Sequence, residues 1–441
     1  MSLVDKQVLI LGLGESGLAC ARWCARAGAR VHVIDTRDEP PMLAELRRRV
    51  ASADFSTARF DEGCDRALLA GIDLLLLSPG LSGGLMLVLH ARAAGIPVVG
   101  EIELFAQALR QLGQVAPVVA ITGTNGKTTT TTLVGHILKH AGLTPFLGGN
   151  IGTPLCDYLM GDSPADVLVI EISSFQLQNC RTFAPRVAAL LNFSANHLDY
   201  HLDMEEYLSA KLNLFARQDH GSTAVIPQAM RAELAARNFT RARVDAFTAD
   251  TDFDCPGLPG AHNRENIAAA WRMVRPFGVS EAQARAAIQA FHALPHRIEP
   301  VGEVAGVLFV NDSKATTLDS VAAAVKSFER PVRLLLGGVF KGGVVEDILP
   351  ALKGRVVSVG LFGASREVFE PALRAHFPVA WDQTLEAAVR RQFSQARPGE
   401  MILLSPATAS FDAYSGYAER GRDFARVAKA LSGETAPEVA T

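Results

Sequence analysis

Cysteine is scarce and scattered in this chain of 441 residues: Cys20, Cys24, Cys64, Cys156, Cys180 and Cys255 are all there is. Nothing in their spacing suggests a disulfide framework. Cys20 and Cys24 lie four apart on one expected helix, but no second pair completes a zinc site. They read as buried free thiols of a reducing compartment. Positive charge is not in excess either. The net charge is −3, from 43 Lys and Arg against 46 Asp and Glu, so there is no basic surplus of the kind that marks a nucleic-acid partner. No apolar run approaches the length of a membrane span. Residues 1–6 run directly into a strand-like segment, without the charged leader, apolar core and cleavage site of a signal peptide. Short repeats and low-complexity tracts are also missing. These absences lead to the expectation of a cytoplasmic protein with no nucleic-acid and no membrane partner, acting as a monomer.

What is present is a globular composition, 49% hydrophobic and 20% charged, in a chain too long for one ordinary core. Strand-like and helix-like segments alternate almost throughout, which predicts an α/β protein with largely parallel sheets. Apolar runs at 8–11, 31–34 and 74–77 begin the series. A new unit opens at 118–121, and a third after 294–297, with strand-like runs at 307–310, 332–336, 356–359 and 401–404. This pattern divides the chain into 1–106, 107–293 and 294–441. The tail from about residue 433 is small and polar and is expected to be disordered.

Two glycine loops punctuate this alternation. Gly12-Leu13-Gly14-Glu15-Ser16-Gly17 is a full G-x-G-x-x-G between strand and helix, and Asp35 lies about twenty residues on. Taken alone it favours a nicotinamide-dependent oxidoreductase, yet the same geometry presents a helix N-terminus to any diphosphate. The second loop, Gly123-Thr124-Asn125-Gly126-Lys127-Thr128-Thr129, joins a buried-type strand to the helix-like run 131–138. Its backbone N–H groups can cradle phosphates, Lys127 can neutralise them, and Thr128 can offer a hydroxyl to Mg²⁺. Ala120 stands where the longer phosphate-loop motif would have its first glycine. Neither an oxidoreductase nor a simple phosphate-loop switch explains both loops. The fold expected is a Rossmann-like N-terminal domain, a central P-loop ATPase-type parallel sheet and a Rossmann-like C-terminal domain.

Glu171 ends the apolar strand 167–170, where ligands bind in an open α/β sheet, and its carboxylate suits Mg²⁺. His197 lies in a polar loop with Asp199 and His201, and Lys211 in a helical segment; residues of these types in such places are ordinarily just solvated. Asn263 and Asn266 open a helical segment, where asparagine is a common cap.

In order along the chain, GTNGKTT (123–129), GGNIG (148–152), EISSFQL (171–177), NHLDYH (196–201), AKLNLF (210–215), HNREN (262–266), LPHR (294–297), NDSKATT (311–317) and LLSPATASFD (403–412) resemble the Mur ligase family. The likeness spans essentially the whole chain and is closest to members that add D-glutamate to UDP-N-acetylmuramoyl-L-alanine. It implies an amide ligase that activates a carboxylate with ATP as an acyl phosphate. It further implies two Mg²⁺ ions held by Thr128, Glu171, His197 and a carbamylated Lys211, and adenine recognition by Asn266 supported by Asn263. Arg297, Asp312 and Lys314 match nucleotide-binding positions. Glu15, Ser16, Asp35, Thr36, Arg37, Ser78, Gly80 and Asn150 match contacts to the UDP precursor, and Ser173 and Ser174 also match substrate positions. Thr316, Lys341 and Ser410 match glutamate-binding positions, with Tyr417 as an aromatic wall. The family's GGDGK-like turn reads Gly337-Gly338-Val339-Phe340-Lys341 here: the lysine is kept and the acid is not.

Overall fold

Alternating apolar runs and helices fold into three sheets, whose strand order sets where ligands can enter. The structure, a computed structural model, describes residues 2–113, 116–161, 164–194, 200–250, 252–258, 261–292, 295–340 and 342–434. His197 and Lys341 lie outside the described residues, as do 435–441 of the tail.

The first sheet contains β1 (Gln7–Leu11), β2 (Arg30–Asp35), β3 (Asp54–Thr57), β4 (Leu74–Leu77) and β5 (Val98–Val99). Its order is β3-β2-β1-β4-β5, with every pair parallel. The winding reverses between β1 and β4, and a crevice opens beyond their carboxyl ends. The second sheet has β6 (Val118–Thr122), β7 (Pro145–Gly149), β8 (Val167–Glu171), β9 (Val187–Leu190), β10 (Thr223–Pro227) and β11 (Arg243–Phe247). It is also parallel, in the order β11-β10-β9-β6-β8-β7. Here β6 sits at the reversal, flanked by β8 and β9. Strands buried on both faces explain why the sequence shows continuous apolar runs rather than alternation.

The third sheet contains β12 (Glu299–Val304), β13 (Val307–Asn311), β14 (Val332–Gly337), β15 (Val356–Phe362), β16 (Val379–Asp382) and β17 (Met401–Leu404). Its order is β12-β13-β17-β14-β15-β16, parallel except for the antiparallel β12–β13 pair. β12 escapes detection in the sequence because EPVGEV carries proline and glycine and lies largely exposed at a sheet edge. Edge strands tolerate both residues.

The chain forms two compact units, Met1–Cys255 with Asn263–Ala290, and Pro256–His262 with Phe291–Thr441. The first two sheets share the first unit, and one continuous apolar core runs through both. Polar ties reinforce it: Arg22 pairs with Asp157 at 2.7 Å, and the Glu103 carboxylate accepts the N–H groups of Arg181 and Thr182, each at 2.8 Å.

One local expectation needs correction. The helix Ala261–Val274 begins before Asn263, so Asn263 and Asn266 are interior residues rather than caps. Their amides bond to each other at 3.1 Å and both are buried, which satisfies them without a helix end. The last helix spans Tyr417–Glu434.

Candidate active site

The N-terminal glycine motif builds one wall of a cleft of about 440 Å³ at the reversal of the first sheet. Gly12 to Gly17, Asp35 to Arg37, Phe60 and Ser78 to Leu81 line it. Gly17 has to be glycine, because a Cβ there would overlap the carbonyl oxygen of Gly12. The helix Glu15–Arg26 can therefore start directly against the loop. The Ser78 hydroxyl donates to that same carbonyl at 2.9 Å, joining the ends of β1 and β4. Asp35 is buried and accepts the Leu13 N–H at 2.8 Å, while the Arg37 guanidinium covers both of its oxygens at 2.8 and 2.9 Å. Arg37, followed by the backbone N–H groups, holds the carboxyl down at about 2. An acid so engaged is poorly placed to take a ribose diol, and this weighs against the dinucleotide reading of the motif. Glu15, Thr36 and Gly80 are exposed at the rim, and Ser16 is half-buried.

The phosphate loop emerges from β6 at the reversal of the second sheet. Gly126 has a left-handed backbone (φ 79°) and starts the helix Lys127–His140. It also admits Asn266, whose amide oxygen occupies the space a Cβ would take. Asn192, just past β9, brackets the loop by accepting the Asn125 N–H at 2.8 Å and donating to its carbonyl at 3.1 Å. The Thr124 N–H donates to the Asn192 carbonyl at 3.1 Å. Lys127 curls over the loop, its Nζ donating to Gly123 and Thr124 carbonyls, each at 2.9 Å. Thr128 is buried and Thr129 half-buried in the first helical turn.

Lys211 is not the solvated helix lysine that its segment suggests. It is 1% exposed, donates to the Gly123 carbonyl at 3.0 Å and lies 4.5 Å over the Tyr207 ring. Burial, and then the nearby Lys127 charge, bring its pKa down to about 6.

Glu171 ends β8 in register with Ile121 of β6, two residues before the loop. One carboxylate oxygen accepts from the Asn150 amide at 2.7 Å, and the other is buried with no hydrogen-bond partner among the described residues. A buried, unsatisfied carboxylate oxygen at the end of a strand beside β6, which leads into the phosphate loop, fits a divalent cation. Among the described residues no group of three His, Cys, Asp or Glu side chains could hold a metal.

Asn150 is thus tied to Glu171. Ser173 spends its hydroxyl as the cap of the short helix Ser174–Leu177, in a reciprocal pair with Gln176. The Ser174 hydroxyl meets the ring of buried His201 at 3.0 Å, so His201 is a packed core histidine.

In the second unit, Asp312 and Lys314 follow β13, Gly337 ends β14 and Gly338 to Phe340 follow it, and Ser410 follows β17. Asp312 accepts from the Ser405 hydroxyl at 2.9 Å and the Ile298 N–H at 3.2 Å. Burial raises its carboxyl to about 7. Lys314 lies 5.0 Å over the Tyr417 ring, and Arg297 and Thr316 are half-buried. Val339, in the turn that lacks the acid, pairs with Ala409 in an antiparallel bridge beside buried Ser410. Phe340 stacks edge-on against Phe369.

The residue that joins these loops is Arg420, which the sequence did not single out. It is fully buried, and its guanidinium donates to the Ser313 hydroxyl and carbonyl at 3.0 and 2.9 Å, the Gly337 carbonyl at 3.2 Å and the Thr408 carbonyl at 3.1 Å. One side chain thus fixes the loops after β13, β14 and β17.

Three family models match the chain: the MurD-like N-terminal domain of Mur ligases over residues 6–100, the Mur ligase middle domain over 121–254, and the Mur ligase glutamate ligase domain over 296–408. The chain belongs to the Mur ligase family. Its relatives include the UDP-N-acetylmuramoylalanine–D-glutamate ligase of Oleidesulfovibrio alaskensis, 46% identical over 97% of this chain and 94% of that one. The ligase of the same name from Nitratidesulfovibrio vulgaris is 47% identical over 96% of both chains. Among solved structures, MurF ligase from Thermotoga maritima, in complex with ADP, shares the fold with a TM-score of 0.57 at 16% identity, over 98% of this chain and 96% of that one. MurC from the same organism gives 0.55 at 18%, over 96% and 99%.

Proposed function

We propose that the chain joins D-glutamate to UDP-N-acetylmuramoyl-L-alanine, converting ATP to ADP and phosphate, as a cytoplasmic step in peptidoglycan precursor synthesis. One observation carries this reading. A single compact unit holds two separate phosphate-directed glycine loops, each at the reversal of its own parallel sheet. Two such loops suit two phosphate-bearing substrates, a UDP-sugar and ATP. A dinucleotide oxidoreductase uses one, and so does a nucleotide switch.

In this reading the alanyl carboxylate attacks the γ-phosphorus and ADP leaves. The amine of D-glutamate then attacks the acyl-phosphate carbonyl, expelling phosphate and releasing a proton. Gly123 to Thr129 hold the ATP phosphates, and Asn266, steadied by Asn263, reads the adenine. Thr128, Glu171, His197 and Lys211 serve two Mg²⁺ ions, which when bound neutralise charge developing on phosphate oxygens. Lys211 does so as a carbamate: its amine adds to CO₂ and gives up a proton, which requires the neutral amine that burial favours. Thr316, Lys341 and Ser410 take the glutamate carboxylates beside Tyr417.

The division at residues 106 and 293 gives precursor, ATP and amino acid one domain each. The working form is a monomer without nucleic-acid or membrane partners; no described helix is long and apolar enough to cross a membrane. ADP release that requires both the UDP precursor and D-glutamate tests the reading. Equal release with either omitted would overturn it.

A further inference from the structure

One side chain touches both the wall of the N-terminal cleft and the short helix that follows β8. The Tyr200 hydroxyl donates to the carbonyl of Leu81 at 3.2 Å. Leu81 belongs to the wall of the N-terminal cleft, where its side chain packs against Gly12 of the glycine motif. On its other side the Tyr200 ring packs against Phe175 at a tilt of 41°, with centroids 4.1 Å apart. Phe175 lies four residues beyond Glu171, and Tyr200 itself follows His197 by three. A second tie supports the same wall: Arg92 donates to the Gly83 carbonyl at 2.8 Å and to the Asn179 side chain, from the segment after the Ser174–Leu177 helix, at 3.1 Å.

We propose that Tyr200 is a positioning residue that couples occupancy of the precursor cleft to the affinity of the Mg²⁺–nucleotide site. The inference rests on the ligase reading given above and goes further by naming how one substrate prepares the site for the other. The physical basis is differential contact. The Leu81 carbonyl is fixed to the cleft wall, so a ligand that settles the wall also settles Tyr200. Through Phe175, Tyr200 then biases the segment that bears Glu171. Burial raises the Tyr200 phenol above its ordinary value, which keeps it a hydrogen-bond donor throughout the neutral range.

The test measures binding of a non-hydrolysable ATP analogue with Mg²⁺, by calorimetry, with and without saturating UDP-N-acetylmuramoyl-L-alanine. Wild-type protein and Tyr200→Phe, which keeps the ring and its packing, are compared. In the wild type the precursor should tighten nucleotide binding about fivefold or more, and by reciprocity the nucleotide should tighten precursor binding by the same factor. In Tyr200→Phe each ligand alone should bind within about twofold of wild type, while the coupling drops below about twofold. Packing damage alone would weaken both single-ligand affinities instead. Undiminished coupling in Tyr200→Phe, or no coupling in the wild type, overturns the proposal while leaving the ligase reading standing. A wild type that binds neither ligand overturns the ligase reading itself.

Discussion

The Nζ atoms of Lys127 and Lys211 donate to one shared acceptor, the carbonyl oxygen of Gly123, at 2.9 and 3.0 Å. Two ammonium groups this close repel, and the buried one yields. Lys211, stripped of water, releases its proton near pH 6, whereas the unfolded chain holds it to about 10. Between those values the unfolded state binds more protons, so this group makes stability rise with pH across that window. Lys211→Met removes the titration. Thermal unfolding in bicarbonate-free buffer should show a flatter pH profile for the variant and a gain of about 1–4 kcal/mol just below pH 6, where the wild type carries a buried charge. A profile parallel to the wild type would contradict this.

Carbamylation makes a separate prediction for the same residue. Lys211→Ala should lose most of its activity and regain part of it when a small carboxylate such as acetate refills the anionic position. Full activity of the unrescued variant without bicarbonate would rule out the carbamate.

In the proposed reading Lys127 acts on phosphates beside the central sheet, whereas the cleft assigned to the precursor lies at the first sheet. Lys127→Ala should therefore reduce acyl-phosphate formation by about two orders of magnitude or more, with precursor affinity by calorimetry within about twofold of wild type. Near-normal turnover would remove the phosphate loop from the mechanism.

Arg420 holds three loops through carbonyl and hydroxyl acceptors, with no carboxylate among its hydrogen-bond partners in the described residues. Arg420→Met strands those buried acceptors and should cost on the order of 3 kcal/mol in urea unfolding. Its kinetic signature should be a KM for D-glutamate raised about tenfold or more, with the KM for ATP much less changed. A stable variant with an unaltered glutamate KM would make Arg420 irrelevant to the amino-acid loops.

How far the sequence alone could go follows from the range of each interaction. The phosphate loop was legible because strand, glycines, lysine and helix start are contiguous. The end of β8 at Glu171 was legible because a run of apolar residues stops at an acid. Lys211 reads as an ordinary helix cation and Arg420 draws no notice in the sequence, since their partners stand 88 and up to 107 residues away. Only packing reveals that each is buried. Asn263 and Asn266 look like caps by residue type, and pairing between their side chains, invisible in one dimension, places them inside the helix. The short strand β5 and the exposed edge strand β12 carry too little apolar signal to be seen.

The central claim is the identity of the joined substrates, and product mass tests it most directly. The enzyme is incubated with UDP-N-acetylmuramoyl-L-alanine, ATP and Mg²⁺, and with each candidate amino acid in turn, D- and L-glutamate included. A site that pairs both glutamate carboxylates should disfavour analogues lacking the side-chain carboxylate by several kcal/mol, because buried polar partners would be left unmatched. The account predicts a product heavier than the precursor by one glutamyl residue, formed fastest with D-glutamate and matched one-to-one by ADP. A product carrying another amino acid, faster turnover with L-glutamate, or no product with any of them would contradict it.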